Sequence, residues 1–281
     1  MLSSHLSLAV SLFFSSVVAQ SCKLQFDGRV PVTLGAAGFN APNQIFGSNN
    51  VLGQGLKFSQ LVKLPAVAGS LFDVNTVPAE VTISDKSIFN GQTGFRRAEL
   101  IPVSNSGTDP STQGVKTLHF SVMKDGQRPL NLSHEYQLVF LESNDFSTNQ
   151  VVLKTGTILG QATADPDTLQ LFSNVNAPQL LFSAKFTPGV FHNFALTLDF
   201  NKLTTQVFFS TGTAALESVT AAIKNDVSGQ GQFHFGVLKK GINGVGDITK
   251  NGVQEADIDE GIIFGGIFEE DSSTGCVSLS P

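Results

Sequence analysis

The stretch Val115–Met123, which reads VKTLHFSVM, alternates apolar and polar side chains along its length. Its apolar positions are spaced two apart: Leu118, Phe120 and Val122. Its polar positions fall between them: Thr117, His119 and Ser121. Because successive side chains of an extended chain point to opposite faces, the pattern predicts a β-strand with one face on an apolar core. His119 is then expected to face away from that core.

The stretch Gly231–Leu238 repeats the pattern and again predicts a histidine, His234, on the face away from the core. Elsewhere, short runs with strand character are separated by Gly, Pro, Asn, Asp and Ser, which are typical of turns. About a dozen such runs predict an all-β fold of two packed antiparallel sheets. Only Ala214–Ile223 has helical spacing, and its β-branched residues favour a strand or turn nearly as well. Since no linker or internal repeat divides residues 20–281, we expect one domain there.

The sequence of residues 1–19 predicts a secretory signal peptide. The run Leu6–Ala19 is apolar and ends in small residues suited to cleavage. It is shorter than the roughly 20 apolar residues that span a bilayer. We therefore expect the mature chain to begin at Gln20 and the protein to be secreted and extracellular.

The chain has two cysteines, Cys22 and Cys276, which lie near the two ends of the expected mature chain. In an oxidising compartment the simplest outcome is one disulfide that holds the termini together. Asn131-Leu132-Ser133 is a sequon, which predicts glycosylation of Asn131.

Charge and spacing limit the classes of partner. A net charge of −6 argues against nucleic acid or an anionic membrane as a partner. The acidic run Glu255–Glu260 lacks the spacing of a calcium loop, and we interpret it as a solvated loop. Motifs for a metal or a nucleotide cofactor are not found, so we expect neither metal nor cofactor.

The stretch Gln92–Leu100, QTGFRRAEL, places charged side chains inside a run with strand character. In a strand, Arg97 and Glu99 point to the same face. A second candidate strand, Ser133–Leu141, places Glu135 and Gln137 on one face. With His119 and His234, these side chains could form one polar sheet face. Two carboxylates across a groove are the basic machinery of glycoside hydrolysis, whereas a paired, solvated strand face is the alternative.

Segments along nearly the whole mature chain resemble glycoside hydrolase family 131, the secreted fungal β-glucanases. The segments that carry the resemblance are FDGRVP from Phe26, LKFSQLVKLP from Leu56, EVTISDKSIF from Glu80, QTGFRRAEL, GVKTLHFSV from Gly114, LNLSHEY from Leu130, HNFALTLDF from His192, GQFHFGVLKK from Gly231 and IDEGIIFGGIFEEDSSTGC from Ile258.

This resemblance implies a β-jelly roll with an open cleft and hydrolysis of β-1,3, β-1,6 or β-1,4 glucan polysaccharides or oligosaccharides. It also implies that Glu99 and Glu135 are the catalytic pair. The surrounding polar shell is then expected to bind substrate: Arg97, His119, His134, Gln137 and His234. The chain has no Trp, and Phe58, Phe120 and Phe140 stand where members of the family carry it. If those rings line the cleft, sugar stacking is weaker.

Two other functions remain open from the sequence. A polysaccharide lyase on a jelly-roll scaffold would use an arginine-and-glutamate strand motif with a Tyr or His base, and Tyr136 is the one tyrosine available. A non-catalytic glucan-binding protein would bind the polymer without releasing product. In each case we expect a monomer.

Overall fold

The computed structural model describes residues 22–41, 45–47, 51–103 and 107–281, so the predicted signal peptide lies outside the described residues. The described chain is built almost entirely of strands, which in order are β1 (Leu24–Asp27), β2 (Val30–Pro31), β3 (Val62–Lys63), β4 (Thr76–Val77), β5 (Ala79–Ser84), β6 (Phe95–Leu100), β7 (Val115–Lys124), β8 (Glu135–Glu142), β9 (Asn149–Gly156), β10 (Thr168–Phe172), β11 (Leu180–Lys185), β12 (His192–Asp199), β13 (Thr204–Thr211), β14 (Glu217–Ser218), β15 (Ile223–Lys224), β16 (Gln232–Lys240) and β17 (Asp259–Asp271).

Helices in the described chain are short connectors: α1 (Phe58–Leu61), α2 (Ile248–Asn251) and the 3-10 turns Ala36–Asn40 and Pro110–Thr112. The stretch Ala214–Ile223 is not helical, because it supplies the short strand β14 and the start of β15, which both pair with β13. The strand-or-turn alternative for this stretch is therefore confirmed. None of the described helices is long and apolar enough to cross a membrane.

Two antiparallel sheets face each other across the core. One has six strands in the order β11-β10-β9-β8-β16-β6. The other has nine strands and the main order β14-β13-β12-β7-β17-β5-β3, with β1 and β15 at its edges. The predicted all-β, two-sheet antiparallel sandwich is thus confirmed.

The core between the sheets contains the apolar faces that the sequence predicts. Leu118, Phe120 and Val122 of β7 and Phe233 and Phe235 of β16 are all at most 1% exposed and belong to one cluster. Phe120 and Phe235 meet across the sandwich with their ring centroids 6.3 Å apart. Burying side chains of this size contributes roughly 1.5–3 kcal/mol each relative to leaving them in water.

The two ends of the described chain are joined by the predicted disulfide between Cys22 and Cys276, which closes a loop of 254 residues. Beside it, the Ser278 Oγ lies 3.7 Å from the Cys22 Sγ. On the chain-entropy model, a loop of this length contributes about 5 kcal/mol through the unfolded state.

Strand β8 departs from simple alternation. Its pairing register shifts against both neighbours, between Phe235 and Leu238 of β16 and between Gln137 and Val139 of β8. As a result Leu138 and Val139, although adjacent, are both buried in the core between the sheets. Residues before the irregularity and residues after it therefore share the outer face with opposite sequence parity.

Candidate active site

An open groove with a volume of about 340 Å³ runs over the outer face of the six-stranded sheet. Its floor comes from four adjacent strands and mixes apolar with charged side chains: Phe95 and Arg97 of β6, Leu238 and Lys240 of β16, Gln137, Phe140 and Glu142 of β8, and Asn149 and Lys154 of β9. The turn between β8 and β9 forms one wall. Such a mixture suits a ligand that has both apolar faces and hydroxyl groups.

Glu99 lies beneath this floor and is held by three polar contacts. The Nε and a terminal amino group of Arg97 donate to its two oxygens, each at 2.7 Å, and the Nδ1 of His234 lies 2.7 Å from Oε2. Burial alone would raise the pKa of Glu99, but the charge of Arg97 and the contact with His234 outweigh it and lower the pKa to about 2. Glu99 is therefore a fixed, ionised carboxylate.

His234 connects Glu99 to a second carboxylate that lines the groove. Its Nε2 lies 3.3 Å from Oε2 of Glu142, close enough for an ionic contact, although the angle does not make a hydrogen bond. The Glu142 side chain is 23% exposed. Burial opposes the charged form of His234, but the two carboxylates outweigh it and raise the pKa of His234 above 6.5.

Glu135 occupies a second charged cluster further along the same face. Its Oε1 lies 2.7 Å from the Nζ of Lys240 and 3.0 Å from the Nζ of Lys154, and its Oε2 accepts from the backbone N–H of Leu159 at 2.9 Å. Burial disfavours the ionised form, but the two lysines outweigh it and lower the pKa of Glu135. The carboxylate thus lies behind groove-lining cations, as Glu99 lies behind Arg97.

Strand register gives the layout of the three glutamates. Glu99 is opposite Gly236 of β16, and Glu142 is opposite Gln232, with His234 on the strand between them. Glu135 of β8 directly precedes Tyr136, which pairs with Lys239 of β16, so Glu135 is level with Lys240. That level is four residues from Gly236, on the side opposite to Gln232. At about 3.3 Å a residue this is about 13 Å along the strand.

Glu142 was not predicted as a groove residue. Strict alternation along β8 from the outward-facing Glu135 would point Glu142 into the core. The irregularity in β8 turns Phe140 and Glu142 outward, beside Gln137. A shift of this kind depends on how the partner strands pair, and the sequence of β8 alone has no signal for it.

The prediction that His119 belongs to the substrate-binding face is wrong. Its side chain does face away from the core, but β7 belongs to the nine-stranded sheet, on the opposite side of the sandwich. There it stacks on Phe268 at 4.3 Å between ring centroids and meets Glu270 through Nε2 at 2.9 Å. Because Glu270 also accepts from the backbone N–H of Ser278 at 3.1 Å, His119 helps to fix the C-terminal segment.

His134 does not line the groove, and its predicted role in substrate binding stays a prediction. Its Nδ1 lies 2.7 Å from the carbonyl oxygen of Lys240, and its Nε2 lies 2.8 Å from Glu255. Glu255 and Glu260 both contact the buried Lys239. The acidic run is thus partly built into a buried ionic network, and interpreting the whole run as a solvated loop was wrong.

The remaining sequence-based candidates divide between groove and core. Arg97 and Gln137 line the groove. Phe58 and Phe120 are core residues at 1% exposure, and Phe140, although it borders the groove, is also only 1% exposed and stacks on His234. Phe in place of Trp at these three positions therefore alters the packing of buried side chains and not the stacking of sugar rings. Asn131 is exposed and donates to Glu255 at 3.0 Å, and its glycosylation stays a prediction.

The contact between His234 and two carboxylates predicts a measurable titration. Its pKa is raised above the unfolded value, so this pairing stabilises the fold fully below about pH 6.5, and the stabilisation is lost as the pH rises through the folded-state pKa. In Glu142→Gln one of the two carboxylates is removed, and we expect the pKa of His234 to fall. Imidazole resonances followed by NMR across pH measure it, with the exposed Glu217→Gln as control. An unchanged His234 titration in Glu142→Gln would contradict the assigned contact.

No set of three or more His, Cys, Asp or Glu side chains within the described ranges is placed to hold a metal ion. The ionisable side chains that line the groove are Glu142, Arg97, Lys154 and Lys240, and Glu99, Glu135 and His234 are buried behind them.

Comparison with known proteins places this chain in a family. The model of the glycoside hydrolase 131 catalytic N-terminal domain matches residues 24–275. Similar solved structures include the glycoside hydrolase 131 β-glucanase catalytic domain from Podospora anserina, with a TM-score of 0.72, 24% identity and coverage of 92% of this chain and 98% of that chain. The catalytic domain of the family 131 protein from Coprinopsis cinerea gives a TM-score of 0.72, 22% identity and the same coverage. A search of curated proteins finds no match. The chain belongs to glycoside hydrolase family 131 and contains the catalytic domain of that family.

Proposed function

We propose that this glycoside hydrolase cleaves β-glucan in the groove over β6, β16 and β8, with Glu99 and Glu142 as its carboxyl pair. The substrate class follows from the family and from the β-glucanase activity named for the Podospora anserina relative. The observation that supports the pair is His234, which contacts both carboxylates.

Because His234 contacts both Glu99 and Glu142, the distance between the two carboxylates is limited. The contacts of 2.7 Å to Glu99 and 3.3 Å to Glu142 are joined by an imidazole ring that spans about 2 Å between its nitrogens. The bridged oxygens are therefore at most about 8 Å apart. Glycosidase pairs need roughly 5–9.5 Å, depending on whether the anomeric configuration is retained or inverted.

The two carboxyls differ in their access to a bound sugar, because Glu99 is fully buried and Glu142 is partly exposed. Glu99, with its pKa lowered to about 2, is the ionised member that activates water or attacks the sugar. It lies beneath Arg97, so displacement of Arg97 by a sugar hydroxyl is part of this proposal. Glu142 faces the groove, where it can protonate the leaving oxygen, and a protonated His234 can return a proton to it.

The sequence-based pair, Glu99 with Glu135, is the alternative assignment for the same reaction. Glu135 and Glu142 each lie four strand positions from the level of Glu99, on opposite sides of it, but only Glu142 is joined to Glu99 through His234. Oε1 of Glu135 contacts both Lys240 and Lys154, which neutralise its charge. These features favour a role in shaping the charge of the groove, whereas Glu142 has the direct bridge.

We also propose that the enzyme is secreted and acts as a monomer on β-1,3, β-1,6 and β-1,4 glucan. The test is incubation of the purified protein with each polymer. Release of reducing sugar supports the proposal. A new ultraviolet absorbance from unsaturated sugar would instead indicate a lyase, and binding without product would indicate a glucan-binding protein.

A further inference from the structure

Phe146, at the tip of the turn between β8 and β9, is an aromatic side chain that the core does not use. It is 72% exposed and lines the groove. Its backbone has a φ of 59°, in the left-handed region that non-glycine residues seldom occupy. Such a conformation persists only where the surrounding structure fixes it.

The turn Ser143–Thr148 supplies that fixation through its own hydrogen bonds. Oδ1 of Asp145 accepts from the Ser143 hydroxyl at 2.6 Å and from the Ser147 N–H at 3.1 Å. The Phe146 N–H donates to the carbonyl oxygen of Ser143 at 2.9 Å, and the Thr148 N–H donates to the Ser143 hydroxyl at 3.1 Å. The exposed ring is thus presented by a pre-ordered turn, so ligand contact costs little conformational entropy.

A second cavity, which we term the distal pocket, lies on the other side of this turn. Its volume is about 300 Å³, similar to that of the groove, and Ser147 and Thr148 line both. Its remaining walls are hydroxyl, amide and carboxylate side chains, including Asn176, Asp226 and Ser228. Those three residues are exposed and so open to a ligand. The distal pocket begins at Ser143, directly after Glu142.

We infer that Phe146 is a stacking platform for a glucosyl ring and that the distal pocket is a further sugar subsite of the same enzyme. The apolar face of a sugar ring packs on an aromatic ring, and its hydroxyl groups match the polar walls beyond. A bound glucan chain then runs from Glu142 over Phe146 into the distal pocket. This inference rests on the proposed function, because it extends the substrate of that same groove.

The test measures how affinity depends on chain length in Phe146→Ala. For long gluco-oligosaccharides we expect KM to rise roughly 3- to 10-fold with kcat nearly unchanged, which is the scale of one lost aromatic contact. For aryl glucosides too short to cross the turn we expect no change. Asn176→Ala should show the same length dependence with a smaller effect, and Phe146→Trp should lower KM for long chains. Matched controls are Val245→Ala, at a valine that is 86% exposed, and Asn201→Ala in the β12–β13 turn.

A second measurement separates this inference from the proposed function. Retardation of the protein in a gel that contains soluble β-glucan reports binding without turnover. If wild-type protein is retarded but releases no sugar, and Phe146→Ala is less retarded, the inference stands and the hydrolase proposal fails. If wild-type protein releases sugar and Phe146→Ala matches it at every chain length, the inference is overturned alone. A rise in KM that is the same for every length of oligosaccharide also overturns the inference. A wild-type protein that neither binds nor hydrolyses glucan overturns both the inference and the proposed function.

Discussion

Glu142→Gln is expected to lower kcat on β-glucan by about 10²- to 10⁴-fold, the usual contribution of a positioned general acid. Its side chain is partly exposed at the groove, so at a pH above the folded-state pKa of His234, where their pairing no longer contributes, we expect the free energy of unfolding to change by no more than about 0.5 kcal/mol. A loss of rate without a loss of stability is the result that assigns Glu142 to the chemistry.

Glu99→Gln is expected to remove activity as well, but with a cost in stability. The glutamate is fully buried, and its loss leaves the guanidinium of Arg97, itself 8% exposed, without its charge partner. Breaking a buried ion pair from one side typically costs about 3–5 kcal/mol. Denaturant unfolding of both variants therefore distinguishes the two carboxyls.

Leaving-group chemistry distinguishes the acid from the base. An aryl glucoside with an acidic phenol, such as a dinitrophenyl glucoside, needs little protonation when its bond breaks. We expect Glu142→Gln to retain much more of its rate on that substrate than on glucan, whereas Glu99→Gln is impaired on both. The exposed Glu217→Gln serves as the control for the assay.

Glu135→Gln is the variant that decides between the two assignments. If Glu142 is the acid, Glu135→Gln keeps kcat within a few-fold and alters chiefly the affinity and the salt dependence, because Lys154 and Lys240 lose their counter-charge. If instead Glu135→Gln abolishes turnover while Glu142→Gln has the wild-type rate, the reacting pair is Glu99 with Glu135.

Alternation in the sequence predicted the faces of single strands well. The predicted strands Val115–Met123 and Gly231–Leu238 correspond to β7 and β16, and the predicted apolar face of each fills the core. The reason is physical: with a period of two, a strand that borders a core must bury alternate residues.

Neighbour relations between strands were not predictable in this way. His119 and His234 have the same kind of polar face in the sequence, yet they lie on opposite sheets, because alternation along one strand contains no information about strand order. The bulge that turns Glu142 toward the groove is hidden for the same reason. Lys239 did leave a signal, since it continues the inward parity of Phe233, Phe235 and Val237.

Lys239→Met is expected to destabilise the fold by about 3–5 kcal/mol, because it removes the cation from a buried ionic network. Lys239 of β16 is 0% exposed, and its Nζ lies 2.6 Å from Oε1 of Glu260 on β17. Oε2 of Glu260 accepts from the Tyr136 hydroxyl at 2.6 Å. Since β16 and β17 belong to different sheets, this network joins the two layers at one end of the sandwich.

The double variant Lys239→Met/Glu260→Gln tests whether the cost comes from the orphaned carboxylate. The amide that replaces the Glu260 carboxylate has no charge and can still accept from the Tyr136 hydroxyl, so we expect the double variant to lose less stability than the sum of the two single variants. In Lys239→Met alone, a buried carboxyl without a cation holds its proton more firmly in the folded chain than in the unfolded chain. Stability is then greatest at low pH and is lost as the pH rises, so the defect should grow with pH. Urea unfolding of all four proteins at several pH values measures both effects. Strictly additive losses, or a Lys239→Met protein as stable as wild type, would show that the network does not join the sheets energetically.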